Sequence, residues 1–298
     1  MTPNTNSEAV LRELRESDAE EVAALYRAAF GEHRPMDAAE IVSWLQNEAL
    51  EPDWLRVLER DGRVVGYGDI QIEGDELALD VAAPGHWHTF FEWAEERARA
   101  GNLTRARVYL PAGHEAEALA ERRGYRLWRS SYTMNVDLGD AAPEVPSPPD
   151  GITFRAYRDE DAEPLRAGFN EAFAQDPFHH EMTAAHFREF FLRKRGFDPS
   201  LWVIAWDGDE LAGFVLAFPE RAGEDGLGWI DVLGVREPWR RRGLGESLLR
   251  TAISDLHARG LARVGLGVDA ENEMGALGLY QRAGMSVVRQ GNNWVLDL

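Results

Sequence analysis

Residues 228–245 read GWIDVLGVREPWRRRGLG, and most of the architecture can be built outward from them. An apolar run reads as a strand ending at Val235, and Pro238 stops it, because proline cannot donate to a sheet ladder. Arg240, Arg241 and Arg242 follow, then Gly243, Leu244 and Gly245. An apolar-periodic segment comes next, with Gly260 as its stop, so a helix is expected over roughly 243–259. This order suits an anion. A helix N-terminus offers unpaired N–H groups and partial positive charge. Glycines remove side chains that would keep an anion away, and arginines add forked donors. The assembly fits a pyrophosphate.

Several pyrophosphate carriers fail on spacing. A nucleotide P-loop needs a lysine after its last glycine, and none follows here. A dinucleotide fingerprint needs a third glycine where Leu248 stands, although Asp269 follows the next strand where a ribose-binding acid could sit. One short arginine cluster in an acidic chain is a small footprint for nucleic acid. A plain alternative stays open for the turn by itself: an exposed basic loop with glycines used for packing.

Outward from this segment, strands are expected near 152–157, 201–207, 211–218, 228–235 and 263–268. A second helix is expected over 274–283, and a closing strand pair over 285–291 and 293–298. The stretch GDAAPEVPSPPDG holds Pro143, Pro146, Pro148 and Pro149 and reads as a semi-stiff linker. The two sides of it look alike. Asp18-Ala19-Glu20 parallels Asp161-Ala162-Glu163, each before an apolar helix. LRVLERDGRVVG (55–66) parallels WVIAWDGDELAG (202–213), each an Asp-Gly hairpin. Arg123-Gly124-Tyr125 parallels Ala283-Gly284-Met285, and each half closes on Asp-Leu. A repeat of roughly 150 residues is too long for a solenoid, so a duplicated domain is expected. The expected organisation is 1–138, a linker over 139–150, and 151–298. The expected class is α/β, each half a mixed central sheet flanked by helices.

The run Arg240–Gly245 resembles the Q/R-x-x-G-x-G/A signature of the GNAT superfamily of N-acetyltransferases. Its context fits as well. Asn272 precedes Leu279-Tyr280-Gln281-Arg282-Ala283-Gly284-Met285, which is similar to the family's N…LYxxxGF tail, with Met285 in place of Phe. The resemblance covers the C-terminal half well and the N-terminal half as a degenerate copy. A tandem pair of this kind is similar to mycothiol synthase and other two-domain members.

The resemblance implies acetyl-CoA as co-substrate; no metal is expected. The backbone of Leu233, Gly234 and Val235 would pair with the pantetheine arm, and the N–H groups from Arg241 and Arg242 through Gly243, Leu244, Gly245 and Glu246 would hold the pyrophosphate. Arg240 would belong to the same cofactor-binding set, and Asn272 would touch the cofactor near its arm. Tyr280 would protonate the leaving thiolate, a role that suits a phenol; a half-buried core tyrosine is the alternative. Trp229 occupies the position where an acid base is expected. Asp231, two residues on, is therefore the candidate base, directly or through water; a structural acceptor is its alternative. Phe178, His179 and His180, in the loop between the first two helices of that half, would line the acceptor pocket. His179, His180 and His186 lack zinc spacing.

The N-terminal half keeps the scaffold without the chemistry. Its turn, VAAPGHW (81–87), has no arginine, and Ala120 falls where Tyr280 would be. It is expected not to transfer acetyl.

Composition bounds the rest. At 298 residues with 44% hydrophobic and 28% charged, the chain suits soluble globular domains. The absence of cysteine excludes disulfides, thiolate metal sites and a cysteine nucleophile. A net charge of -20 disfavours nucleic acid and anionic lipid as partners. The expected activity is acetyl transfer to a primary amine of a small molecule, by direct attack in a ternary complex, in a cytoplasmic monomer or homodimer. A non-catalytic acyl-CoA sensor and a mycothiol synthase-like enzyme are the alternatives.

Overall fold

The computed structural model describes residues 9–48, 50–139, 143–221, 223–271 and 275–298. In chain order its strands are β1 (Val10–Glu13), β2 (Leu55–Arg60), β3 (Arg63–Glu73), β4 (Glu76–Ala82), β5 (Arg105–Pro111), β6 (Arg126–Asp137), β7 (Ile152–Ala156), β8 (Trp202–Asp207), β9 (Glu210–Phe218), β10 (Leu227–Val235), β11 (Arg263–Asp269) and β12 (Ser286–Asp297). The helices are α1 (Ala19–Phe30), α2 (Ala38–Leu45), α3 (Trp87–Ala100), α4 (Glu115–Arg122), α5 (Ala162–Phe173), α6 (Ala184–Phe187), α7 (Leu244–Ala258) and α8 (Ala276–Arg282).

The chain folds into two compact units. One holds the chain through Ser130 together with Gln290–Leu298, and the other holds Ser131–Arg289. In the first, β1 to β4 are antiparallel neighbours and β4 pairs in parallel with β5. β12 closes the edge of β5, from Gly291↔Pro111 to Asp297↔Arg105. In the second, β7 to β10 are antiparallel neighbours, β10 is parallel to β11, and β6 closes the edge of β11, from Asp269↔Ser131 to Arg263↔Asp137. Within each unit the pairing is mixed, parallel at one junction and antiparallel elsewhere, and helices pack on the strands.

The units therefore differ from the sequence halves at their closing strands, for the last strand of each half completes the other unit. The two closing strands carry the same register, with Asp297 opposite Arg105 and Asp137 opposite Arg263. Their alternation fits either edge equally well, so pattern alone does not choose between them. A second difference is that β12 is one unbroken strand, where a closing pair was expected. The linker also packs as part of the second unit, since Ser247 Oγ donates to the Pro146 carbonyl at 2.9 Å and His257 Nε2 bonds the Gly139 carbonyl at 2.9 Å.

Why these segments form these elements is clear from β9. Phe214, Leu216 and Phe218 pack with α5 and α6, while Val215 and Ala217 pack with α7. A strand covered on both faces can be apolar at every position, which explains the run FVLAF. In α7 the buried positions Leu244, Leu248, Leu249, Ala252, Ile253 and Leu256 follow the helical period. The repeat noted at Asp-Ala-Glu is a shared structural device. Asp18 accepts the Arg15 N–H at 2.9 Å and a forked contact from Arg12, and Asp161 accepts the Arg158 N–H at 2.8 Å and a fork from Arg155. Burial pushes both carboxyls up, yet the arginine contacts outweigh it and hold them below the usual range.

Candidate active site

The site begins with a break in the sheet of the second unit. The parallel ladder between β10 and β11 runs from Leu227↔Arg263 to Ile230↔Leu266 and ends there. Pairing with β9 continues to Val235↔Gly213, across a register shift between Ile230 and Val232. Asp231 is the extra residue of that bulge. Bulges bend a strand and raise its twist, so β10 departs from β11 just past Asp231. One backbone edge of Leu233, Gly234 and Val235 is left facing the opening. Gly234 is required there, because a Cβ would lie 2.4 Å from the Phe214 ring.

A cavity of about 570 Å³ fills this opening. Leu233, Gly234 and Val235 line one side, Ala172 and Phe173 of α5 another, and Leu279, Tyr280 and Arg282 of α8 a third. The turn after β10 closes its end with Arg240, Arg241, Gly243, Leu244, Gly245 and Glu246. Within the turn Arg241 has φ +63° and Gly243 has φ +84°. A left-handed arginine is strained, and such strain concentrates where backbone N–H groups are aimed at a ligand. The Gly243 position has open space around a notional Cβ, so glycine is needed for its dihedral rather than for room.

The three arginines have different employments. Arg240 donates to the Val235 carbonyl at 2.9 Å and to the Ala172 carbonyl at 2.8 Å, so its guanidinium fastens the turn to β10 and α5. Arg241 is exposed and lines the cavity, whereas Arg242 is exposed and outside the lining. Glu246 faces the same cavity but is neutralised by Arg250 at 3.2 Å and Arg282 at 3.8 Å.

Tyr280 is 8% exposed, in the cavity wall, and its hydroxyl makes no hydrogen bond among the described residues. Burial pushes its phenol up to about 12, so the proton stays on through neutral and mildly alkaline pH. The Asp231 carboxylate lies outside the cavity lining. Its Oδ2 is 2.6 Å from Lys194 Nζ, and its Oδ1 accepts Trp229 Nε1 at 3.2 Å. Phe178, His179 and His180 sit in the loop between α5 and α6, also outside the lining. That loop is anchored: Asn170 bonds both the N–H and the carbonyl of Met182, at 2.8 and 3.2 Å. The His179 ring lies 5.9 Å from Phe169, which touches the cavity residue Phe173 at 4.9 Å. Burial lowers the His179 imidazole below its ordinary value. Asn272 lies outside the described residues.

Sequence reasoning missed Lys194 and the α5 residues Ala172 and Phe173. The last two are ordinary apolar positions in a helix. Lys194 had a signal in the composition, being the single lysine of the sequence.

By fold this is an acetyltransferase architecture, and comparison with known proteins agrees. The acetyltransferase (GNAT) family matches residues 162–285. The chain is 33% identical over 232 residues to a mycothiol acetyltransferase of Streptomyces scabiei, covering 74% of this chain and 72% of that protein. It is 34% identical over 281 residues to a mycothiol acetyltransferase of Beutenbergia cavernae, covering 86% and 89%. A GCN5-related N-acetyltransferase from Sphaerobacter thermophilus superposes with a TM-score of 0.78 at 27% identity, covering 97% of this chain and 95% of that one. A tandem GNAT protein from the clavulanic acid biosynthesis pathway shares the fold, with a TM-score of 0.71 at 17% identity and coverage of 97% and 98%. The chain belongs to the GNAT acetyltransferase family and is an acyltransferase enzyme.

Proposed function

We propose that the second unit transfers acetyl from acetyl-CoA to a primary amine of a small molecule, directly and within a ternary complex. The observation that carries this reading is one continuous cavity joining an unpaired strand edge, an anion cradle and a buried protonated phenol. The cradle from Arg241 to Glu246 would hold the pyrophosphate, with Arg240 fixing its shape. The free edge of Leu233 to Val235 would take the amide groups of the pantetheine arm as an added strand takes its neighbour. Because the cradle follows β10, the arm would run back along it toward the bulge at Asp231.

The chemistry then balances as follows. The amine nitrogen forms a bond to the acetyl carbon and the C–S bond breaks. Tyr280 gives its proton to the departing thiolate, and Asp231 takes the proton lost by the amine, directly or through water. No covalent enzyme intermediate is needed. Phe178, His179 and His180 would border the acceptor, reaching the cavity through the Phe169–Phe173 stack. The first unit lacks the cradle and has Ala120 where the second has Tyr280, so we assign it no transfer. A cytoplasmic setting is part of the same reading, and among the described residues no helix is long and apolar enough to cross a membrane. A pure acyl-CoA sensor would need no phenol in the cavity wall.

Calorimetric titration of the full chain with acetyl-CoA tests this. One site per chain is expected, followed by amine-dependent release of CoA thiol in an amine screen. Two sites would mean that the first unit is also loaded, and no binding at millimolar ligand would overturn the proposal.

A further inference from the structure

Of the 32 lysine and arginine residues in the chain, Lys194 is the only lysine. It is also the partner of Asp231, the bulge residue at the apex of the split sheet. Its Nζ is 2.6 Å from Asp231 Oδ2 and 4.7 Å from the Phe218 ring centroid, and its side chain is 37% exposed. Elsewhere in the same unit two carboxylates are held by forked arginines, Asp161 by Arg155 at 2.5 and 2.6 Å and Glu163 by Arg166 at 2.6 and 2.9 Å. A lysine cannot fork. It is a compact charge on a flexible stem, here making one hydrogen bond to the carboxylate. A partly exposed pair of that kind is weakly held.

We infer that Lys194 is an internal stand-in for the acceptor. Its ammonium fills the seat on Asp231 that the acceptor's ammonium takes, and the acceptor enters by displacing it. This rests on the amine reading above and deepens it by naming a specificity-determining residue. An ε-ammonium and a substrate R–NH3+ carry the same charge and the same three donors, and the Phe218 face attracts either. The exchange conserves charge at Asp231. A neutral or anionic acceptor would leave a part-buried carboxylate without its cation, so the site selects acceptors that arrive protonated.

The test uses the full chain, K194M, K194R and the double variant K194M/D231N, with acetyl-CoA and methylamine hydrochloride as probe. Methionine keeps the stem over Phe218 without the charge, and K194Q serves if K194M does not fold. Release of CoA thiol gives KM and kcat, and calorimetry gives acetyl-CoA affinity for each protein. The expected result is a KM for methylamine at least about ten-fold lower in K194M, higher than the parent in K194R, and no gain in the double variant. A merely structural pair predicts the reverse order, with K194R like the parent and K194M impaired, and that order overturns the inference. Equal KM values, or no methylamine-dependent release in any protein while acetyl-CoA still binds, also overturn it and leave the amine reading to the wider screen. Loss of acetyl-CoA binding in the parent chain overturns that reading itself.

Discussion

The two units place an aspartate at the same point and treat it oppositely. In the first, the parallel ladder ends at Leu79↔Val108, and Asp80 is the next residue. In the second it ends at Ile230↔Leu266, and Asp231 is next. Asp80 stays in register with β3, opposite Asp69, whereas Asp231 bulges. Arg34 grips Asp80 with a fork at 2.7 and 2.5 Å, and its guanidinium lies 5.3 to 5.6 Å from the rings of Phe30, Tyr26 and Tyr109. Lys194 touches Asp231 once, over a single ring. The helix that follows starts after residues 83–86 in the first unit and after residues 236–243 in the second, so only the second has room for a cradle. On the proposed reading the same scaffold is thus sealed in one copy and open in the other. The seal consists of an arginine for a lysine, an unbulged strand, a short turn and Ala120 for Tyr280. The backbone at those last two residues is equivalent, since Tyr125 N–H bonds the Ala120 carbonyl and Met285 N–H bonds the Tyr280 carbonyl, each at 3.0 Å.

The largest expected effect breaks the open copy at its cradle. Gly243→Glu forces a side chain onto a left-handed position and sets a carboxylate against the pyrophosphate. Acetyl-CoA affinity should fall by at least about 100-fold. Gly85→Glu, in the corresponding turn of the first unit, should leave affinity unchanged. Calorimetry on both variants decides whether the binding site lies where the open copy predicts.

Next is Tyr280→Phe, which removes a proton donor and little volume. Turnover should fall about 100-fold, the usual scale for general acid catalysis, with acetyl-CoA affinity retained. Because the phenol is pushed up to about 12, the parent's turnover should show no loss from Tyr280 deprotonation below about pH 10. A pH–rate profile of parent and variant reads both. An alkaline limb near pH 8 that vanishes in the variant would place the titration on Tyr280 and contradict the burial argument.

Much of this contrast was legible in the sequence, and the rest was not for stated physical reasons. The cradle is contiguous, so RRRGLG before an apolar helix could be read directly, and Ala120 opposite Tyr280 followed from counting along two similar tails. The bulge at Asp231 leaves no mark in residue type, since WIDVL alternates acceptably with or without it. The partners of the two aspartates lie 46 and 37 residues away, and no local pattern links them. The exchange of closing strands is invisible for the same reason, as both strands satisfy either edge. Lys194 stood out only once lysines were counted apart from arginines.

A smaller effect tests the seal. Arg34→Lys keeps the charge but loses the fork and the planar stacking, so the first unit should lose about 2 kcal/mol of stability. Lys194→Arg should change stability by less than about 0.5 kcal/mol. Thermal unfolding of the two variants compares them directly. Equal losses would mean that the two cations do the same work, and the distinction between a fixed and an exchangeable partner would fall.

The least effect concerns the acid buried beside the seal. Asp69 is 6% exposed, and burial together with the charge on Asp80 pushes its carboxyl well above the usual range, against the Tyr67 hydroxyl that donates to it at 3.0 Å. It therefore keeps its proton in the folded chain at pH values where the unfolded chain has lost it. Below about pH 4 both states are protonated and the group is indifferent to folding. As pH rises from there, the unfolded chain releases a proton that the folded chain holds, so stability falls until the folded group itself titrates. Asp69→Asn supplies a neutral side chain of the same shape and removes that slope. Parent and variant should unfold alike near pH 4, and the variant should gain steadily over the parent as pH rises to 8. A gain that shrinks with pH would mean that Asp69 is ionised in the fold and that Arg34 serves two carboxylates rather than one.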